Sequence, residues 1–368
     1  MSRMVAAGEE SVPTSLLSRV RWDVVRWAAI SVYLVALAIF CVTRGVPMDR
    51  AGLTLWIVTG LSAVCIGKGW RAWGRMMLDW LPFQGVLLLY DYSYGAASYF
   101  SGGFIDGFPI QGAINRIGMP LHVTFPIRVD EWLFGGHLPS QWVQQHLSGA
   151  VNQAPWWSIF ITLCYCSHFM VSPIVAAVLW IRSRERFRAW AALLVALAVA
   201  GIATYFVFPM SPPWLASQQG YISGTPVYRL SGQGWSWLDF HGAAQVLGDA
   251  QDRSNPVAAM PSLHLATATL VIGFFWFSVR RWVRPFLLLY PALMSFTLIY
   301  SGEHYVTDEI AGLLYAVVLL AAWRVLRRRP LHLPGWLGGA GVLSSWRATD
   351  REALLDPADR PVDVVQHG

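Results

Sequence analysis

Two histidines and an aspartate in the C-terminal third of the chain are of the right types to do chemistry together: His264, His304 and Asp308. His304 and Asp308 stand four residues apart in YSGEHYVTDEIAG, residues 300–312, a spacing that puts both on one face of a helix. An aspartate that accepts from the Nδ1–H of a histidine fixes its tautomer and leaves Nε2 free as a nucleophile. It also stabilises the cationic ring that phosphorylation creates. Gly302 permits a tight approach of the chain just before that pair. His264 lies in AAMPSLHLATAT, residues 258–269. There Pro261 can open a helix, Ser262 can supply a hydroxyl and a backbone N–H at its start, and His264 falls in the first turn. A helix start presents unpaired N–H groups and a positive dipole end, which suits a phosphate. Zinc is a rival use of two histidines and an aspartate, but no third strong ligand is evident, so neither metal nor cofactor is expected.

The elements that must position these groups are membrane spans. The 368-residue chain is 55% hydrophobic and 13% charged, against about a quarter charged in soluble domains. Eight stretches approach the ~20 apolar residues that a span requires: about 25–43, 52–67, 82–101, 156–181, 189–209, 263–279, 283–300 and 308–326. The expected fold is all-α, a polytopic transmembrane helical bundle. The net charge of +6 is carried almost wholly by arginine, and it sits in short clusters between apolar runs. That pattern reads as topology rather than nucleic-acid binding. Clusters at Arg19–Arg26, Lys68–Arg75, Arg182–Arg188, Arg280–Arg284 and Arg324–Arg329 flank alternate ends. The excess of positive charge on that side places both termini in the cytoplasm of a multi-pass cell-membrane protein. The segments bearing His264 and His304 are joined by one span going in and one coming out, so both lie at the outer face. The expected organisation is a cytoplasmic N-terminal segment (1–24), a transmembrane domain (25–329) and a flexible cytoplasmic tail (330–368). Residues 1–15 lack the apolar core of a signal peptide. The four cysteines lie in apolar stretches and read as core residues.

Two long segments, about 102–155 and 210–262, fall on the outer side. The first contains FPIRVDEWLFGGHLPSQWVQQHL, whose aromatics mixed with polar residues suit interfacial helices. The second begins FPMSPPWLAS, where Pro209, Pro212 and Pro213 stop the fifth span.

At the two histidine segments the sequence resembles the type-2 phosphatidic acid phosphatase superfamily, and within it the inositol phosphorylceramide synthase-like branch. The superfamily motif PSGH appears here as Pro261-Ser262-Leu263-His264, and the end of SRxxxxxHxxxD as His304 and Asp308 in GEHYVTD. The PPW turn at Pro212–Trp214 and the stretch DWLPF, Asp79–Phe83, also look like that branch. The resemblance runs from about residue 70 to 325 and is specific over two dozen residues. It implies an enzyme acting on a lipid phosphate within the bilayer. His304 would attack phosphorus, Asp308 would orient it, and His264 would protonate the leaving group and then act as base on the incoming water or alcohol. Ser262 and nearby N–H groups, that of Leu263 among them, would hold the phosphoryl oxygens. The branch points to transfer of a phospho-headgroup of the inositol phosphate kind. The alternative is hydrolysis of phosphatidate or a polyprenyl (pyro)phosphate.

The sequence departs from the family where the arginine six residues before the nucleophile is Leu298 and the serine is Thr297. The first family motif, KxxxxxxRP, is absent; Lys68, Arg71 and Arg75 would lie a bilayer away. Arg116, Arg128 and Arg229 lie on the outer side and are the candidates for the missing phosphate charge. Asp91 and His168 fall inside spans, where each could line a cavity or make a helix–helix hydrogen bond. A non-enzymatic lipid transporter would use such intramembrane groups but explains the paired histidines less well. A vanadium-dependent peroxidase would share the site but fits neither the spans nor the missing arginine.

Overall fold

The computed structural model describes residues 21–44, 50–97, 99–148, 154–252 and 254–328; within these, the side chains of 42, 50, 51, 83, 84, 87–97 and 328 lie outside the description. Most of the proposed terminal segments, 1–24 and 330–368, fall outside the described residues.

The chain is an all-α bundle with a small irregular layer at one end. Helices α1 (Trp22–Arg44), α2 (Arg50–Cys65), α3 (Trp70–Ala97), α6 (Ser158–Arg182), α7 (Arg184–Val207), α11 (Leu263–Phe275), α13 (Leu289–Tyr300) and α14 (Val306–Arg328) correspond to the eight apolar stretches. Among the described residues five helical segments are long and apolar enough to cross a membrane: Trp22–Cys41, Ser158–Arg182, Arg184–Val207, Arg281–Tyr300 and Val306–Arg327. Two shorter apolar helices cover Gly52–Cys65 and Leu263–Ser278. The third element differs most from expectation. It starts at Trp70 rather than near 82 and runs through Pro82, because Met76 and Trp80, four residues apart, bury one helical face against α7.

The tightest packing joins α11 to α14, and glycine makes it possible. A Cβ at Gly312 would stand 2.3 Å from the Ser262 carbonyl, and one at Gly273 would stand 2.1 Å from Leu320. Two helices that must approach this closely need small residues at the crossing. Gly201 of α7 likewise receives the Leu263 side chain.

The arginine clusters gather at one end of the bundle. Arg184 pairs with Asp79 at 2.8 Å, Arg327 with Glu185 at 3.4 Å, and Arg186 donates to Ser278 at 2.8 Å. At the other end the two long segments that link the apolar helices, about 102–155 and 210–262, knit into a cap. It holds α4 (Thr124–Leu133) and α5 (Pro139–Leu147) from the first segment, and α8 (Pro213–Gln218), α9 (Gln233–Trp237) and α10 (His241–Asp252) from the second. α4 and α5 fall in the segment where the aromatic pattern predicts helices, and the aromatics there are exposed: Trp132 is 80% exposed, and Phe125, Phe134 and Trp142 are also exposed. Residues 100–115 instead form two short antiparallel ladders, β1 (Phe100–Ser101) with β4 (Ile114–Asn115) and β2 (Phe104–Ile105) with β3 (Phe108–Pro109). Single bridges tie His122 to Met210 and Met210 to Ala258, over a core of Leu121, Val123, Met210, Leu215, Val257 and Tyr305.

Candidate active site

The nucleophile candidate is set by a sharp turn at the end of α13. Gly302 has φ +69°, a conformation that costs little only without a Cβ. A Cβ there would also stand 2.7 Å from the Tyr228 carbonyl. Gly302 O accepts from Trp214 N at 3.0 Å, and Glu303 N donates back to Leu298 O at 3.1 Å. The turn delivers His304 to the start of α14, where its Nδ1 lies 2.9 Å from Asp308 Oδ2. Asp308 is fully buried and His304 nearly so. With Nδ1 engaged by the carboxylate, Nε2 is the free nitrogen of the ring; the pair forms across the helix start, His304 standing two residues before α14, and not along one helical face as the spacing alone suggests.

The start of α14 is held from a distance. Asp130 of α4, wholly buried, accepts from Val306 N and Thr307 N at 2.9 Å each, and from the Thr307 hydroxyl. It caps a helix that begins 176 residues later, doing the work usually done by a local cap. Burial raises the Asp130 carboxyl above its ordinary range, against the pull of these donors.

His264 arrives from α11. Ser262 caps that helix, its Oγ accepting from Leu265 N at 3.4 Å, and Ser262 N donates to Asp308 O at 3.0 Å. The two helix starts are thus bonded to each other, and the His264 and His304 rings stand 5.6 Å apart at 62°. Ser262 retains its O–H as a donor beyond the cap. Leu263 turns its side chain toward Gly201, so any ligand contact it makes is through its backbone N–H.

Of the three arginine candidates, the structure brings Arg229 alone to these groups. Its Nε and Nη2 donate to Glu303 Oε1 and Oε2 at 2.9 and 3.2 Å, and its guanidinium lies 4.7 Å over the Trp214 ring of the PPW turn. Ser231 Oγ and Gln251 Nε2 donate to the same Glu303 Oε1 at 2.7 and 3.1 Å. This edge-on pairing leaves Nη1 and one Nη2 hydrogen uncommitted. Arg116 stacks over Tyr99 on the exposed hairpin, and Arg128 lines a shallow surface pocket with Phe125 and Trp132. The side chain of Asp91 lies outside the described residues. Leu298, at the family's arginine position, is packed away with Tyr165 and Met294.

Sequence reasoning did not single out Glu303, Ser231, Gln251 or Asp130. Glu303 carried the one usable signal: an acid directly before the nucleophile, where a membrane site would demand a cationic partner.

A family model described as the PAP2 superfamily matches residues 127–324, more than half of the chain. A phosphoinositol dihydroceramide synthase from Bacteroides thetaiotaomicron is 26% identical over 143 residues, covering 37% of this chain and 45% of its own length. No solved structure matches.

Proposed function

The chain belongs to the PAP2 superfamily, and from that membership we propose that it is a membrane-embedded lipid phosphotransferase working through a phosphohistidine at His304. The observation that carries this reading is the buried His304–Asp308 pair at 2.9 Å facing the His264 ring at 5.6 Å. His304 Nε2 forms a bond to phosphorus, the bond from phosphorus to the donor's alkoxide oxygen breaks, and His264 gives that oxygen a proton. Asp308 stabilises the ring that has become cationic. An alcohol oxygen then bonds to phosphorus, the nitrogen–phosphorus bond breaks, and His264 recovers a proton from the hydroxyl. Arg229, the Ser262 hydroxyl and the N–H groups at the start of α11 hold the phosphoryl oxygens, where preorganised donors in a water-poor site have most effect. Arg229 thereby replaces the charge absent at Leu298.

The group moved is a phospho-headgroup of the inositol phosphate kind, a reading supported by the likeness to a phosphoinositol dihydroceramide synthase and by the GEHYVTD segment. The site faces the outside and both termini lie in the cytoplasm, in keeping with the arginine end of the bundle. The catalytic body is 25–329, with 1–24 and 330–368 as cytoplasmic extensions.

The test uses purified protein in lipid nanodiscs, offered radiolabelled phosphatidylinositol or phosphatidate in turn. Acid-labile, alkali-stable label should appear on the wild type and be lost in His304→Ala. Label that survives in that variant rules out the nucleophile. Phosphate release from phosphatidate without any alcohol would assign the enzyme to hydrolysis instead, and movement of intact lipid without labelling would assign it to transport.

A further inference from the structure

Helix α6 turns Tyr165, His168 and Phe169 toward His264, and His168 has no part in the steps above. Its ring lies 4.1 Å from that of His264, with planes 38° apart. Both rings are only half-buried. Yet His168 Nδ1 and His264 Nε2 are each closed in and lack a hydrogen-bond partner. Buried polar nitrogens are normally paired, and two adjacent exceptions point to a ligand group. Among the described residues, no cluster of His, Cys, Asp or Glu could hold a metal ion. A hydroxyl suits the two unpaired nitrogens best, since it both donates and accepts and can bridge the edges of two rings that are themselves in contact. Tyr165 at 5.0 Å and Phe169 at 6.0 Å supply the walls.

We infer that His168 and His264 together bind the exchanging oxygen: first the one that leaves the donor, then the hydroxyl that replaces it. The inference rests on His304 being the phosphorus-bonded nucleophile. In the second half-reaction the hydroxyl oxygen bonds to phosphorus, the phosphorus–nitrogen bond to His304 breaks, and the proton passes to His264. His168 holds the oxygen throughout and ends with the protons it began with. The hydroxyl belongs to an alcohol or to water, and the imidazole pair recognises what the two share.

An alkyl p-nitrophenyl phosphate separates the two uses of the subsite, because p-nitrophenolate leaves without needing a proton. The wild type should show a burst of p-nitrophenolate followed by slower steady turnover. His168→Phe keeps the ring and loses the nitrogens. It should retain the burst, while steady turnover falls about tenfold. Parallel reactions with and without decanol show whether dialkyl phosphate or the hydrolysed monoester forms. Burst and steady rate falling together, or both staying at wild-type values, overturns the assignment. Should the Phe variant fail to fold, His168→Gln, which keeps a donor and an acceptor, is compared with His168→Ala: recovery of the steady rate in Gln alone supports the subsite, and equal loss in both overturns it. A wild type with neither a burst nor an acid-labile, alkali-stable covalent label overturns the phosphohistidine reading first and this one with it, a result unlike any of the others.

Discussion

The two ends of the bundle both carry charged residues, and they hold them in opposite ways. At the arginine end the Arg184–Asp79 pair lies shallow. Arg184 spreads 3.4 Å over Trp180 and reaches Asp79, with side chains 45% and 21% exposed. At the capped end the carboxylates of Asp130, Asp308 and Glu303 are buried. Asp130 and Glu303 are each met by two or more donors that come from distant parts of the chain. Shallow pairs exchange easily with water and headgroups and are individually weak, so their value lies in fixing orientation. Buried ones cannot be half removed, because the surviving partner is left as an uncompensated polar group. Charge at one end orients the molecule; charge at the other end constrains atoms.

Substitutions at the two ends should therefore differ by orders of magnitude. Asp308→Asn keeps the shape but frees the His304 tautomer. It should cost roughly a thousandfold in turnover, read as rate of enzyme phosphorylation, with little change in thermal unfolding. Arg229→Ala should lower kcat/KM roughly a hundredfold and Glu303→Gln about tenfold, and the double variant should be no worse than Arg229→Ala. Additive losses would mean that Glu303 acts on something other than Arg229. Asp130→Ala strands the first N–H groups of α14 and should cost ~1–2 kcal/mol in unfolding measurements. The pH dependence has a definite sign. Because burial raises the Asp130 carboxyl in the folded state, its contribution is fully present below the ordinary carboxylate range and is lost as pH rises through the raised folded value. Asp130→Asn should flatten the stability profile in that window. The smallest effect is expected from Arg184→Gln, under ~1 kcal/mol after allowing for its exposure, with turnover unchanged. A large loss of activity there would erase the contrast between the ends.

What could be read from the sequence depended on how local each relation is. His304 and Asp308 are only four residues apart, so their pairing is legible from spacing, although His304 stands two residues before α14 and not on it. His264 joins them because two antiparallel crossings of one bilayer must end on the same side. The spans were legible for the same reason, apart from α3, whose first turns carry Arg71, Arg75 and Asp79 and hide a buried Met76–Trp80 face behind charge. Arg229 could be placed on the correct side but not chosen over Arg116 and Arg128, because the path of the cap decides which of them arrives. Asp130 gave no signal at all. Cap residues are sought immediately before the helix they serve, and this one comes from another segment of the chain. The paired ladders over 100–115 were equally hidden in a glycine-rich stretch without strand-like alternation.

The backbone bond from Ser262 to Asp308, with Gly312 pressed against the Ser262 carbonyl, makes one rigid seam of the two helices that carry the histidines. A seam with no side chain between its halves cannot part by a rotamer change; it must shear as backbone. The backbones that carry His264 and His304 are therefore held at a fixed spacing. Lipid entry and departure must be accommodated by movement elsewhere, and α6 is itself tied to the cap through Thr162, which accepts from Gly234 N and donates to Ser231 O, so those two elements would have to move as one body.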